Sequence, residues 1–191
     1  MKIGFCVEGS TDRAFVTGLR DRWCPRAELV EGLFRGSTGM SQRRELLRSC
    51  TALNLKGVDA IIILTDSNGF SWRDIRKSLC EQLPSEYLHL VVVGVPDRNV
   101  ESWICCDKEY ISRVTQIPFE SLACSDPKDV FEAFMEITRT DKREREIASI
   151  VQKAPIQNWF TNRSFEDFYE DILKFSQRNG CQIRNEREIE I

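Results

Sequence analysis

The chain reads as an α/β fold built on a mainly parallel, Rossmann-like sheet flanked by helices, and three observations lead to that class. Two aliphatic runs, one opening at Val58 and ending abruptly in Asp66-Ser67-Asn68-Gly69 and the other from Leu88 to Val95, are too continuous for strands with one wet face. Between them Ser71 to Leu83 has a helical period, so the two strands are joined by a helix and pair in parallel through a right-handed crossover. The third observation is the opening of the chain. Lys2 to Val7 has a strand pattern, and Glu8-Gly9-Ser10-Thr11-Asp12 leads from it into a helical one, the start of a βαβ unit.

Taken in order, the first helix is expected to be capped by Ser10 or Thr11 and to carry Ala14, Phe15, Leu19 and Trp23 inward. Ala27 to Phe34 is the next strand, with an ambiguous period. Arg35-Gly36-Ser37-Thr38-Gly39 is rich in glycine but lacks the Gly-Lys-Ser/Thr ending of a P-loop, and reads as a mobile connection. Ser41 to Leu55 fits a helix with Leu46, Leu47, Cys50 and Leu53 on one side and Arg43, Arg44 and Arg48 on a solvated face. The helix from Ser71 turns Ile75 and Leu79 inward. Pro96-Asp97-Arg98-Asn99 then breaks the second aliphatic strand, and Val100-Glu101-Ser102-Trp103-Ile104 opens a helix.

No strand pattern follows residue 110. Asp126-Pro127 is a helix-start signal ahead of a stripe of Val130, Phe131, Phe134 and Ile137, and Ile147, Ile150 and Val151 mark another helix. Ser164-Phe165-Glu166-Asp167 resembles a capping box before Phe168, Ile172 and Phe175, and Asn179-Gly180 closes that helix. Phe165, Phe168 and Phe175 are read as packing rather than as a base-stacking platform. The chain thus divides into an α/β part over 1–110 and a helical extension over 111–191 packed on the same core, with residues 184–188 as a frayed tail.

A formal net charge of −3 with 30% charged residues excludes a global cationic field for nucleic acid, so any polyanion site is local. The eight cysteines are scattered without a Cys-x-x-Cys pair, and His89 is the only histidine, which argues against structural zinc. No apolar run approaches the roughly 20 residues of a membrane span and no signal core opens the chain; the expectation is a cytoplasmic protein with reduced thiols.

Ligands of parallel sheets collect at the carboxyl ends of the strands. Glu8 and Asp66 each follow a strand directly, and Asn68 comes just after, so all three are expected at one edge. The competing account of Asp66-Ser67-Asn68-Gly69 is ordinary turn chemistry. Gathered carboxylates repel one another unless a cation is present, and oxygen ligands without thiolate or imidazole select Mg²⁺ or Mn²⁺. Such a site is most often used on phosphate esters, which Arg13, Arg73 and Arg98 can hold in a bidentate way. Glu101 has two readings, a member of this cluster or a complement to the dipole of the helix it opens.

Glu8-Gly9 after a first strand, followed by Asp66-x-Asn68 after an aliphatic strand, resembles the TOPRIM domain of topoisomerases, primases and OLD-family nucleases, whose signature is a glutamate and a later Asp-x-Asp. Val95-Pro96-Asp97-Arg98-Asn99-Val100-Glu101-Ser102-Trp103 with Asp107, and Ser164-Phe165-Glu166-Asp167-Phe168, are similar to a bacterial family of stand-alone TOPRIM-like proteins, a likeness covering nearly the whole chain. The resemblance implies a TOPRIM-like fold and a Mg²⁺- or Mn²⁺-dependent nuclease acting on DNA or RNA, with an ATPase partner in antiphage defence; the sequence leaves open whether the active form is a homo-oligomer. It implies Glu8 as metal ligand and general acid/base, Asp66 as principal ligand and Asn68 as a weakened one. Glu101 carries over as a catalytic residue from the stand-alone family alone. Asn68 stands where the pattern has aspartate, so the site has one formal charge fewer. That departure keeps open a second function, a module that binds nucleic acid or a protein partner without hydrolysis.

Overall fold

The computed structural model describes residues 1–33, 40–124, 126–129, 142–179, 181 and 183. Its order is β1 (Lys2–Cys6), α1 (Ser10–Trp23), β2 (Glu28–Glu31), α2 (Met40–Leu55), β3 (Ala60–Leu64), α3 (Trp72–Gln82), β4 (Val91–Gly94), α4 (Val100–Ile104), α5 (Lys108–Thr115), α6 (Phe119–Cys124), α7 (Arg143–Lys153) and α8 (Arg163–Asn179). The four strands form one wholly parallel sheet in the order β2-β1-β3-β4. This is the α/β architecture expected, with the helices of the second half laid against the sheet.

The two faces of β3 explain why its sequence is aliphatic throughout. Ala60, Ile62 and Leu64 enter one core with Ile3, Phe5, Val92 and residues of α1, α4, α7 and α8. Ile61 and Ile63 enter the other with Cys6, Val93, Val95 and residues of α2 and α3. A strand alternates its side chains between faces, so a strand covered on both needs an apolar residue at every position. In register Ile3 lies opposite Ala60 and Ile61 opposite Val91, which aligns the carboxyl ends of β1, β3 and β4.

Residues beyond 110 share the first of these cores. α7 packs along α1 and α8 along β4. Phe15, Trp103, Trp159, Phe165 and Phe168 meet there as an aromatic cluster, with the Phe15 and Trp103 ring centroids 5.5 Å apart. The Trp103 indole N–H donates to Ser164 Oγ at 2.7 Å, which fastens α4 to α8. Arg76 of α3 pairs with Asp171 of α8, so α8 also reaches round the β4 edge to the opposite layer.

Several local expectations are corrected. The N-cap of α1 is Gly9, not Ser10 or Thr11, because Asp12 supplies the capping oxygen and accepts from the Gly9 N–H at 3.0 Å. Ser164 lies inside α8, and Asn162 Oδ1 accepts from the Ser164 N–H at 3.0 Å, so no capping box forms at Ser164. The Leu88 end of the second aliphatic run precedes the strand, in a turn that leaves Leu88 exposed. Leu47 is half-buried. Cys24 and Cys181 are joined as a disulfide with Cα atoms 6.1 Å apart, since the end of α1 and the chain after α8 meet at one place; Cys6, Cys50, Cys80, Cys105 and Cys106 are free thiols. The glycine-rich connection at 35–39, the stripe of Val130, Phe131, Phe134 and Ile137, and the tail at 184–188 lie outside the described residues. No helix among the described residues is long and apolar enough to cross a membrane.

Gly18 is where α1 and α7 approach most tightly. A Cβ there would stand 2.6 Å from the Ala148 carbonyl oxygen and 2.6 Å from Val151 Cβ. Neither neighbour is the loose end of a side chain, so Gly18→Ala must push the two helices apart. The expected loss is about 1–3 kcal/mol, read as a lower urea midpoint at unchanged slope; an unchanged midpoint would show that the helices separate freely.

Candidate functional site

The strand order places a topological switch point between β1 and β3, because the chain leaves β1 toward β2 on one side and returns to pair β3 on the other. Ligand crevices of open α/β sheets lie outside the carboxyl ends of the strands at such a point. Glu8 follows β1 there and Asp66 follows β3. The Thr65 hydroxyl donates to Glu8 Oε1, joining the two loops across the switch point.

Two further acids arrive on helix N-termini. Asp12 lies in the first turn of α1, and its capping bond to Gly9 holds it beneath the loop that carries Glu8. Glu101 opens α4, whose Asn99 cap accepts from the Ser102 N–H at 3.2 Å. α1 and α4 lie side by side, with Phe15 against Trp103, so Asp12 and Glu101 come together although 89 positions apart (101 − 12). Both are largely buried, at 7% and 6% exposure.

Electrostatics tie the four carboxylates into one group. Burial pushes Asp12 up to about 7, and the charges of Glu101 and Glu8 push in the same direction. Asp66 is also raised to about 7, by burial first and then by Asp12, Glu8 and Glu101. Glu101 is raised by burial, while Lys128, a hydrogen bond from Thr11, and Arg143 oppose the rise. Lys128 likewise lowers Asp66. Among the described residues, the cations whose charge lowers these acids are Lys128 and, at Glu101, Arg143 as well.

Asn68 is placed by its backbone. Asn68 and Gly69 have φ of 51° and 85°, and the Phe70 N–H donates to the Ser67 carbonyl at 2.9 Å, the pattern of an Asn-Gly type I′ turn. Its own N–H donates to the Arg98 carbonyl at 3.1 Å, linking the β3 and β4 loops, and its side chain is exposed. Ser67, just before it, is 1% exposed and its hydroxyl has no hydrogen-bond partner among the described residues.

The three arginines expected to hold phosphate go different ways. Arg13 is ion-paired with Glu31 at 2.6 Å and Glu144 at 3.3 Å, so a phosphate would have to displace two carboxylates. Arg98 pairs with Asp126 at 2.6 Å but keeps an exposed side chain. Arg73 is exposed, with Cζ 4.6 Å from the centroid of the Trp72 ring.

The donor set consists of oxygens alone, which suits a hard dication. Among the described residues, however, no three His, Cys, Asp or Glu side chains stand close enough together to hold one ion as they lie. No family model matches the chain, and no curated protein matches it either.

Sequence reasoning passed over Asp12, Lys128 and Arg143. Asp12 was legible only as a turn residue, although an acid three positions after Gly9 is placed to reach back to the backbone of the loop that carries Glu8. Lys128 and Arg143 carry no local signal, since each meets the site through tertiary packing alone.

The raised acids set a pH dependence. Asp12 and Asp66 at about 7 sit above the ordinary carboxylate value of 3.8, so between these limits the folded chain holds protons that the unfolded chain has lost. Their contribution therefore falls as pH rises from about 4 to 7 and stays low above it. Asp12→Asn keeps the oxygen that caps Gly9 while removing one charge, so it should raise the thermal midpoint at pH 8 and change it little at pH 4. Scanning calorimetry at the two pH values checks this; a lower midpoint at pH 8 would show that Asp12 is stabilising as an anion.

Proposed function

We propose that this protein is a Mg²⁺- or Mn²⁺-dependent phosphodiester hydrolase of TOPRIM type acting on DNA or RNA. The observation that carries the reading is the convergence of Glu8, Asp12, Asp66 and Glu101 at the switch point, with two of them raised to about 7. A buried, mutually repelling set of carboxylates is costly to keep charged, and sites that retain such sets use the charge. The order of Glu8 and Asp66-x-Asn68 along the chain supports the family reading.

In this reading Asp66, Glu8 and Asp12 hold the cation, with Asn68 as a weaker neutral donor. The cation would polarise a phosphoryl oxygen and lower the pKa of a bound water. Asp12 and Asp66, raised to about 7 in the free protein, would be held ionised as ligands of the cation, so proton transfer is left to Glu8. Glu101, buried and held by Thr11, orients the far wall of the site. Lys128, with Arg143 beside Glu101, offsets part of the acidic charge and can face a phosphate. An ATPase partner and a role in antiphage defence follow from the family resemblance.

A second reading, a module that binds nucleic acid or a protein partner without hydrolysis, is favoured by one observation. Among the described residues no three such side chains close to chelating distance, and Asn68 turns its side chain to solvent. One pair of variants separates the two. Asp66→Asn should lower hydrolysis of a labelled oligonucleotide by roughly 10²–10⁴-fold and weaken Mn²⁺ binding in calorimetry. Asn68→Asp should strengthen Mn²⁺ binding and raise hydrolysis, and the comparison is clean because Asp-Gly suits a type I′ turn as Asn-Gly does. Neither variant altering metal affinity, with no hydrolysis by wild type, would leave the binding module.

The cation should also stabilise the fold selectively. At a hundredfold excess over its dissociation constant a ligand of the native state adds about 2.7 kcal/mol. Because binding competes with protons on Asp12 and Asp66, the rise in thermal midpoint with Mn²⁺ should be larger at pH 8 than at pH 5. An equal rise at both pH values would place the ion elsewhere.

A further inference from the structure

Phe70 is the most exposed aromatic side chain among the described residues. It is 74% exposed, and it sits four residues after Asp66 on the loop that leaves the carboxyl edge. The loop around it is fixed at several points. The Phe70 N–H closes the type I′ turn on Ser67, the Asn68 N–H is tied to Arg98, and Ser71 caps α3 by accepting from the Asp74 N–H at 3.3 Å. The ring is thus held out by an anchored backbone.

Beneath the ring runs an open groove of about 390 Å³ lined by Phe70, Ser71, Asp74, Ile75, Ser78 and Leu79. Its chemistry narrows what it can take. Asp74 puts a carboxylate in the lining, which repels a phosphate. The ring with the half-buried Ile75 gives apolar surface for a flat apolar face, while the carboxylate and the Ser71 and Ser78 hydroxyls can accept from an exocyclic amino group. A nucleobase bearing such a group matches both halves. Arg73, exposed and stacked on Trp72, supplies a guanidinium on the same first turn of α3 for the backbone of the same strand.

We infer that Phe70 and the groove beside it form a stacking subsite for an unpaired adenine or cytosine next to the phosphate held at the carboxylates, and that the protein acts on single-stranded rather than duplex nucleic acid. This rests on the hydrolase reading for the position of the phosphate, whereas the stacking itself does not. A base paired in a duplex has its faces covered by its neighbours, so the subsite selects strands whose bases are free.

The test is binding of a fluorescein-labelled dA oligonucleotide to the Asp66→Asn protein, followed by anisotropy at low salt without added metal. Phe70→Ala in that background should weaken binding roughly 5- to 100-fold, the span of one lost base stack, while Phe70→Trp keeps it. The same strand annealed to its complement should bind the parent protein more weakly than the single strand does. Replacing the adenines by abasic residues should erase the difference between the parent protein and its Phe70→Ala variant. Equal binding by Phe70→Ala, equal or tighter binding of the duplex, or no binding of the single strand overturns the inference; a ring that instead docks a protein would give the last of these. Hydrolysis by the wild type is measured on the same strands with Mn²⁺. Its absence alongside Phe70-dependent binding would remove the hydrolase reading and leave the subsite.

Discussion

The parallel pairing of β1 with β3 is the constraint on which the rest depends. Gly4 faces Ile61 and Cys6 faces Ile63 in that register, and the chain continues from each strand at the same edge within two or three residues. Had the two strands run in opposite directions, Glu8 and Asp66 would lie at opposite ends of the sheet, a strand length apart. Because they are parallel, and because α1 and α4 begin at that same edge, four acids from three separate stretches of the chain meet there. The Thr65 hydroxyl on Glu8 and the Asn68 N–H on Arg98 then fasten the three strand-end loops to one another.

Holding four carboxylates together costs stability, and the fold offsets it elsewhere. The core on the α1 face gathers Phe15, Trp103, Trp159, Phe165, Phe168 and Tyr169, all essentially without exposed surface. Aromatic pairs of this kind contribute beyond the area they bury, about 0.5–1.5 kcal/mol each. The helices of the second half thus have a physical task whatever else they do, since α7 and α8 supply part of the core in which α1 and α4 are packed. With α1 and α4 fixed, Asp12 and Glu101 have no freedom to separate. Charge strain at the edge and packing under it are two sides of one arrangement.

Asn68 shows how one residue can answer to two demands. As a ligand position it is poorer than an aspartate by one charge. As the first central residue of a type I′ turn it is among the best residues available, because asparagine tolerates the left-handed region and Gly69 follows it. An aspartate would meet the turn requirement nearly as well, so backbone geometry does not by itself exclude the carboxylate. The turn accounts for an asparagine or aspartate at 68 and for the direction in which Phe70 leaves the loop; the choice between amide and acid belongs to the chemistry at the edge.

What the sequence determined by itself was set by periodicity and by chain direction. A strand apolar at every position must be covered on both faces, and two such strands with a helix between them must run parallel, so the sheet and the edge at which Glu8 and Asp66 emerge were legible without coordinates. Caps were less so: Gly9 and Asn162 took the places expected of Ser10, Thr11 and Ser164, because several hydroxyls and amides near a helix start compete and a single hydrogen bond decides among them. The rest required the tertiary structure. Asp12 looked like a turn residue until α4 was seen against α1; Arg13 looked like a phosphate ligand until Glu31 and Glu144 were seen to hold it. Lys128 and Arg143 face the acids only through folding of segments far from them in the chain. Local pattern fixes which way a residue leaves its strand or helix, whereas which charges it then meets depends on contacts between distant segments that no local spacing encodes.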